Sequence, residues 1–117
     1  MISDEISESS VRSAGDLAGV YEYDGTTGYF YLYRAGGRAE NKVLASVHIL
    51  SGRPDFGDQD VAVRWDVDEE RVGLFIRGVL WAVFDSRSGT PLGGSYQAGS
   101  ATPSVPAGAA RGFAAGS

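Results

Sequence analysis

A chain of 117 residues with no cysteine and a net charge of −5 is one domain by length, and it excludes a disulfide framework, a thiolate metal site and a cysteine nucleophile. The charge divides as −3 over residues 1–18, −4 over 19–85 and +2 over 86–117, with no basic stripe, so a nucleic-acid partner is excluded and a basic protein partner is the better match. The start of the chain lacks a basic segment followed by an apolar run, and no apolar stretch reaches the roughly 18 residues of a membrane span, which predicts a cytoplasmic protein without a membrane partner.

Residues 1–18 are rich in serine and acid without sustained periodicity, and they read as a flexible acidic leader. From residue 19 onward, β-branched and aromatic runs alternate with turn signals at short spacing. That rhythm belongs to antiparallel strands joined by tight loops and argues against strand–helix–strand units. The predicted strands cover residues 19–24, 28–34, 42–50, 61–66, 71–76 and 79–85, within a β domain over 19–96. Asp24-Gly25-Thr26-Thr27-Gly28 links the first pair, and Arg77-Gly78 links the last through a primed turn that needs positive φ. Residues 51–60, with Pro54, two glycines and three aspartates, form an exposed loop. Residues 97–117 are mostly Ala, Gly, Ser and Pro and read as a flexible tail in which Phe113 is the one large apolar side chain.

The last three strands fall into one register. A turn at Asp68-Glu69 sets Trp65 against Val72 and Val63 against Leu74, and strict alternation across the next turn then sets Leu74 against Trp81 and Val72 against Val83. One face becomes wholly apolar, comprising Val61, Val63, Trp65, Val72, Leu74, Ile76, Val79, Trp81 and Val83. The opposite face is mixed, with a shallow floor at Gly73 and Ala82 beneath Arg64, which either covers it as a solvated side chain or shares it with something packed there. The predicted fold is therefore all-β, a single antiparallel meander of about six strands in a strongly curved sheet or half-barrel.

The run from Asp24 to Tyr31, then Val47-His48-Ile49, Trp65, Gly73-Leu74-Phe75-Ile76-Arg77-Gly78 and Ala82-Val83-Phe84-Asp85 resembles the bacterial family known as domain of unknown function 2251. The resemblance covers roughly residues 20–85, and its most specific parts are the Gly-Tyr-Phe-Tyr strand and the Ala-Val-Phe-Asp ending. This chain departs from the family pattern at the last hairpin, where Arg77-Gly78 stands for Asn-Gly, and beyond Asp85, where Gly- and Ala-rich sequence replaces an aromatic, Pro-containing segment. The resemblance supports the domain limits and implies no activity.

Five of the six tyrosines lie on the first two strands. Tyr29, Tyr31 and Tyr33 share a face by alternation, whereas Tyr21 and Tyr23 join them only if the connecting turn has odd length. Tyrosine combines contact area, low ordering entropy and a polar tip, which suits either a recognition surface or a face packed under the chain's own ends. His48, the lone histidine, sits by alternation beside Ser46 and Leu50, opposite Val43, Ala45, Val47 and Ile49. It has no carboxylate partner identifiable by spacing. Asp55, Asp58 and Asp60 lack the spacing of a calcium loop, and neither a metal nor a cofactor is expected.

The reading that follows is a non-catalytic protein-interaction module, toxin-neutralising or a subunit of an assembly, whose partner is another protein or a second copy. Its binding residues are Tyr29, Tyr31, Tyr33, Arg64 and His48. The alternative is a small-ligand pocket or modest enzyme centred on His48 and the tyrosine-rich strands.

Overall fold

The computed structural model describes residues 5–34, 42–94, 96, 105 and 113, with Lys42 described by its backbone alone. Among these residues the chain forms eight strands: β1 (Ile6–Val11), β2 (Leu17–Tyr23), β3 (Thr27–Arg34), β4 (Lys42–Ser51), β5 (Val61–Trp65), β6 (Arg71–Ile76), β7 (Val79–Asp85) and β8 (Pro91–Gly93). They make two antiparallel four-stranded sheets, ordered β1-β2-β3-β4 and β5-β6-β7-β8. All-β character and antiparallel meander connectivity hold as predicted, and the single curved sheet or half-barrel does not. The physical reason is the pairing of two apolar faces. Tyr21, Phe30, Leu32 and Ile49 from the first sheet share one buried cluster with Val63, Val72, Leu74 and Phe84 from the second, and each set covers what one continuous sheet would leave exposed.

Close approach of the layers requires a glycine at one point. A Cβ on Gly19 would stand 2.5 Å from Val72 Cγ2 and 3.0 Å from Val63 Cγ1, so β2 packs against β5 and β6 only because that side chain is missing. The centre of the core is aromatic, with Phe30 and Phe84 rings 5.1 Å apart and both side chains fully buried.

Residues 6–11, expected in the leader, form an edge strand. Ile6 pairs with Tyr23 and Val11 with Ala18, Ile6 is buried, and the Trp65 indole donates to the Ser10 carbonyl at 2.9 Å. Of its serines, Ser7 and Ser9 share one face of the ladder and Ser10 lies on the other. Most of the expected tail, 97–117, lies outside the described residues; of its side chains Phe113 is buried, its ring 5.4 Å from that of Phe75 in an edge-to-face contact.

The predicted register of the second sheet is right on one side and displaced on the other. Trp65–Val72 and Val63–Leu74 pair as expected. In β6–β7, however, Phe75 pairs with Leu80 and Leu74 with Ala82, so Trp81 is an extra, bulged residue. Its carbonyl accepts from Gly94 N at 2.8 Å. The bulge sends both Trp81 and Ala82 into the shared core, moves Phe84 inward with them, and turns Val83 to the outer face. The Arg77-Gly78 turn has positive φ at both residues, 53° and 79°, as a primed hairpin requires.

The loop between β4 and β5 is held in place by Arg77. Its guanidinium lies 3.6 Å from Asp55 Oδ2 and 3.8 Å from Asp60 Oδ2, and Arg77 also donates to the Asp55 carbonyl. Asp55 further accepts from the Tyr96 hydroxyl at 2.6 Å. Phe56 is buried beneath this network and meets the Tyr96 ring edge-on at 5.1 Å. Among the described residues no group of His, Asp and Glu is placed to hold a metal ion, and no helix is long and apolar enough to cross a membrane.

Candidate functional site

The β2–β3 turn sorts the tyrosines. Tyr23 pairs with Gly28, which leaves an even number of residues, four, between the paired positions, and Asp24 Oδ1 caps them by accepting from Thr26 N and Thr27 N at 2.9 and 2.8 Å. An even loop keeps Tyr21 and Tyr23 in phase with Phe30 and Leu32, so they face the core and are buried. Tyr23 donates to the Gly52 carbonyl at 2.7 Å. The Tyr21 hydroxyl has no hydrogen-bond partner among the described residues, and burial pushes its pKa well above the ordinary tyrosine value, with the neighbouring Tyr23 adding to the shift.

Tyr29, Tyr31 and Tyr33 consequently stand on the outer face of the first sheet, where the ladders arrange their neighbours in rows. Tyr29 lies opposite Glu22 and His48, Tyr31 opposite Val20 and Ser46, and Tyr33 opposite Ala18 and Val43; β1 completes the rows with Ser7, Ser9 and Val11. Apart from the Tyr33 hydroxyl, the row through Tyr33 is apolar. Val11 and Val43, at its two ends, are 55% and 48% exposed. The row through Tyr29 carries serine, carboxylate, phenol and imidazole. Polarity thus rises along the strand direction over two row spacings, about 13 Å at 3.3 Å per residue.

Two bulges in β4 shape this face. Leu44 is the extra residue between the Tyr33–Val43 and Leu32–Ala45 pairs, and Ile49 is extra between Tyr29–His48 and Gly28–Leu50. Val43 is thereby turned to the tyrosine side and Leu50 into the core, reversing the sides that strict alternation assigns them.

The rings of Tyr29 and Tyr31 are stacked, with centroids 6.0 Å apart and planes inclined at 25°. Side chains of a strand stand roughly perpendicular to the sheet, so each ring turns its face to its neighbour and its edge to solvent. Tyr29 also meets the His48 ring edge-on at 5.5 Å. His48 Nε2 lies 2.9 Å from Ser51 Oγ, and no carboxylate bonds to it among the described residues. The Tyr31 pKa is raised by partial burial first, then by the negative charge of Glu22, by Tyr29 and by Asp24.

Arg64 does not join this group. It belongs to the outer face of the second sheet, its guanidinium carbon 4.5 Å from the centroid of the Phe75 ring. The floor there, predicted at Gly73 and Ala82, is instead Gly73 with Val83, since the bulge takes Ala82 inward. A Cβ on Gly73 would meet Leu80 Cδ1 at 2.6 Å and Phe113 Cζ at 3.2 Å. Of the two expectations for that face, the packed one holds: Phe75, Leu80, Val83 and Phe113 form a second buried cluster with Val105 and Leu92 against it.

Two recesses border the molecule near β1. One of about 330 Å³ is lined by Glu5, Ile6, Arg53, Pro54, Phe56, Gly57 and Asp58. The other, about 230 Å³, is formed by Glu5, Ile6, Ser7, Glu22, Tyr23 and Asp24, at the polar end of the tyrosine face. His48 lines neither. The sequence reading missed Glu22, Val11 and Val43 as members of this surface. Val11 falls within the expected leader, and Glu22 and Val43 acquire their places only through the loop parity and the β4 bulge.

A family model described as uncharacterised protein conserved in bacteria, domain of unknown function 2251, matches residues 1–92. The match begins well before residue 20, in keeping with β1 being part of the domain. No curated protein and no solved structure matches the chain.

Proposed function

The chain belongs to this uncharacterised bacterial family, and from its geometry we propose that it is a non-catalytic interaction module which holds a protein partner on the outer face of its first sheet. The observation that carries the reading is the row Tyr29, Tyr31, Tyr33, left partly exposed on a paired, four-stranded face. Aromatic anchors on a rigid face supply desolvated contact area at low ordering entropy, and binding energy concentrates in such residues. Ring orientation separates a protein from a carbohydrate. A sugar stacks on an open ring face, whereas Tyr29 and Tyr31 each give one ring face to the other, which reduces the stacking area on offer. The absence of a carboxylate at His48 among the described residues speaks against acid–base chemistry there.

The test compares the intact chain with its Tyr31→Ala and His48→Ala variants. Proteins retained from a bacterial lysate by the immobilised chain, and the sedimentation of the purified chain, should both show that Tyr31→Ala weakens partner capture or self-association while His48→Ala does not. If His48→Ala alone abolished binding of a small molecule, the reading would fail.

A further inference from the structure

We propose that the recess at the polar end of the tyrosine face receives the cationic head of a lysine or arginine from the protein partner, whose neighbouring apolar side chain rests on the Val11–Tyr33–Val43 row. This rests on the interaction-face reading and adds the chemistry of the partner. Three observations support it.

The first is the charge account of the molecule. Among the described residues the ion pairs of Arg12 with Asp16, Arg71 with Asp85, Arg77 with Asp55 and Asp60, and Arg87 with Glu70 lie away from this face. Glu22 is exposed and makes no salt bridge among the described residues. Its rows on the outer face hold no lysine or arginine: Ser7, Ser9, Val11, Ala18, Val20, the tyrosines, Val43, Ser46 and, across Tyr29 from Glu22, His48. A carboxylate left without a cation beside phenol hydroxyls is complementary to an incoming one.

The second is shape. At about 230 Å³ the recess lined by Ser7, Glu22 and Asp24 is below the roughly 300–1,000 Å³ of small-molecule sites, and on the scale of a single side chain. Tyr23 and Ile6 supply an apolar base for the methylene stem, and the carboxylates meet the head, which is how long basic side chains divide their contacts.

The third is the polarity gradient. The apolar row and the Glu22 row are about 13 Å apart, which an extended segment spans in about four residues and a helix in about nine. The partner is therefore a basic segment with one large apolar residue at that distance from a Lys or Arg. A second copy of this acidic chain would bring like charges together at the Glu22 end.

The experiment pans a random peptide library on the intact chain and counter-selects on Tyr31→Ala. Enriched peptides should carry Lys or Arg at a fixed spacing from a large apolar residue, and amide shifts on titration should map to Ser7, Glu22, Tyr29 and Tyr31. Glu22→Gln should weaken such a peptide about fivefold or more, and Glu22→Lys should select acidic residues instead. Peptides that map to the tyrosine face without basic enrichment, or bind Glu22→Lys unchanged, overturn this inference and leave the interaction face standing. Basic peptides mapping elsewhere, or none enriched over Tyr31→Ala, overturn both. Self-association of the purified chain that is lost in Tyr31→Ala, with cationic peptides ignored, assigns the face to a second copy and also overturns the cation site.

Discussion

The two sheets present outer faces of similar raw material with opposite fates. On the second sheet, Phe75, Leu80 and Val83 are covered by Phe113 and Val105, with Arg64 lying over the Phe75 ring. On the first, Tyr29, Tyr31 and Tyr33 remain partly exposed, with Val11, Val43 and Leu44 more than a third exposed beside them. The difference follows the chemistry of the side chains. The large rings decide it: Phe75 is covered by Phe113 from the chain's far end, whereas tyrosine keeps its hydroxyl in water and tolerates waiting for a partner. A mixed strand face read from sequence is thus ambiguous until one asks which of its large residues carries a polar tip.

The largest effect tests the bulge on which the covered face depends. With Trp81 extra in β7, Phe84 is fully buried between the sheets and Val83 lies under Phe113. Phe84→Ala should cost about 3–5 kcal/mol, the range for aromatic truncation in a core, and Val83→Ala appreciably less. Chemical denaturation of both variants measures this. A larger loss for Val83→Ala would restore strict alternation and put Phe84 outside.

Next in size is Phe113→Ala, which uncovers Phe75 and the Gly73 floor. Burial of one aromatic ring is worth roughly 2–3 kcal/mol, so the variant should melt several degrees lower and bind a hydrophobic dye. This departs from what composition suggests, since a tail of Ala, Gly, Ser and Pro offers little apolar area. An unchanged melting temperature would mean that the second outer face is as open as the first.

A graded loss of stability should appear in alkali. Burial, then the bond to Asp55, pushes the Tyr96 pKa up to about 12, and burial raises Tyr21 as well. A tyrosine harder to ionise when folded contributes stability that is fully present below its unfolded pKa near 10 and is lost as pH rises toward the folded value. Denaturant midpoints should therefore fall between about pH 10 and 12. The two inward tyrosines give a finer contrast. Tyr23→Phe removes a hydrogen bond to Gly52 and should cost about 1 kcal/mol, whereas Tyr21→Phe removes a hydroxyl without a partner among the described residues and should be neutral or stabilising.

Much of this architecture was legible in the residues. Alternation located the six strands from β2 to β7, the Trp65–Val72 ladder followed from the charged turn, and Arg77-Gly78 declared its hairpin. What escaped has a common cause. The run Val79 to Phe84 is apolar at every position, so sliding it by one residue leaves the pattern unchanged, and the bulge at Trp81 has no signature. The same holds in β4, where Val43-Leu44 and Ile49-Leu50 are each interchangeable. β1 escaped because its central run Ser7-Glu8-Ser9-Ser10 carries little strand propensity; its pairing comes from Ile6 and from Trp65 bonding to Ser10. The tyrosine row was legible as a face. Its companions were not, because Glu22 and Val11 join it through loop parity and through a strand assigned to the leader.

The smallest expected change in stability is that of Tyr31→Ala, and it separates the two outer faces most directly. Tyr31 lies on a solvent-facing ladder between Val20 and Ser46, where replacing an aromatic by alanine removes strand preference and cross-strand contact worth about 1 kcal/mol or less. Phe113→Ala on the covered face should cost at least twice that. Their order reverses for binding. Tyr31 presents its ring edge and hydroxyl outward, so its loss should abolish most partner capture, while a Phe113 variant that remains folded should still bind. Paired thermal melts and binding measurements on the two variants decide the matter: equal stability losses would show that the tyrosine face is already packed, and retained binding in Tyr31→Ala would move the interaction surface away from the first sheet.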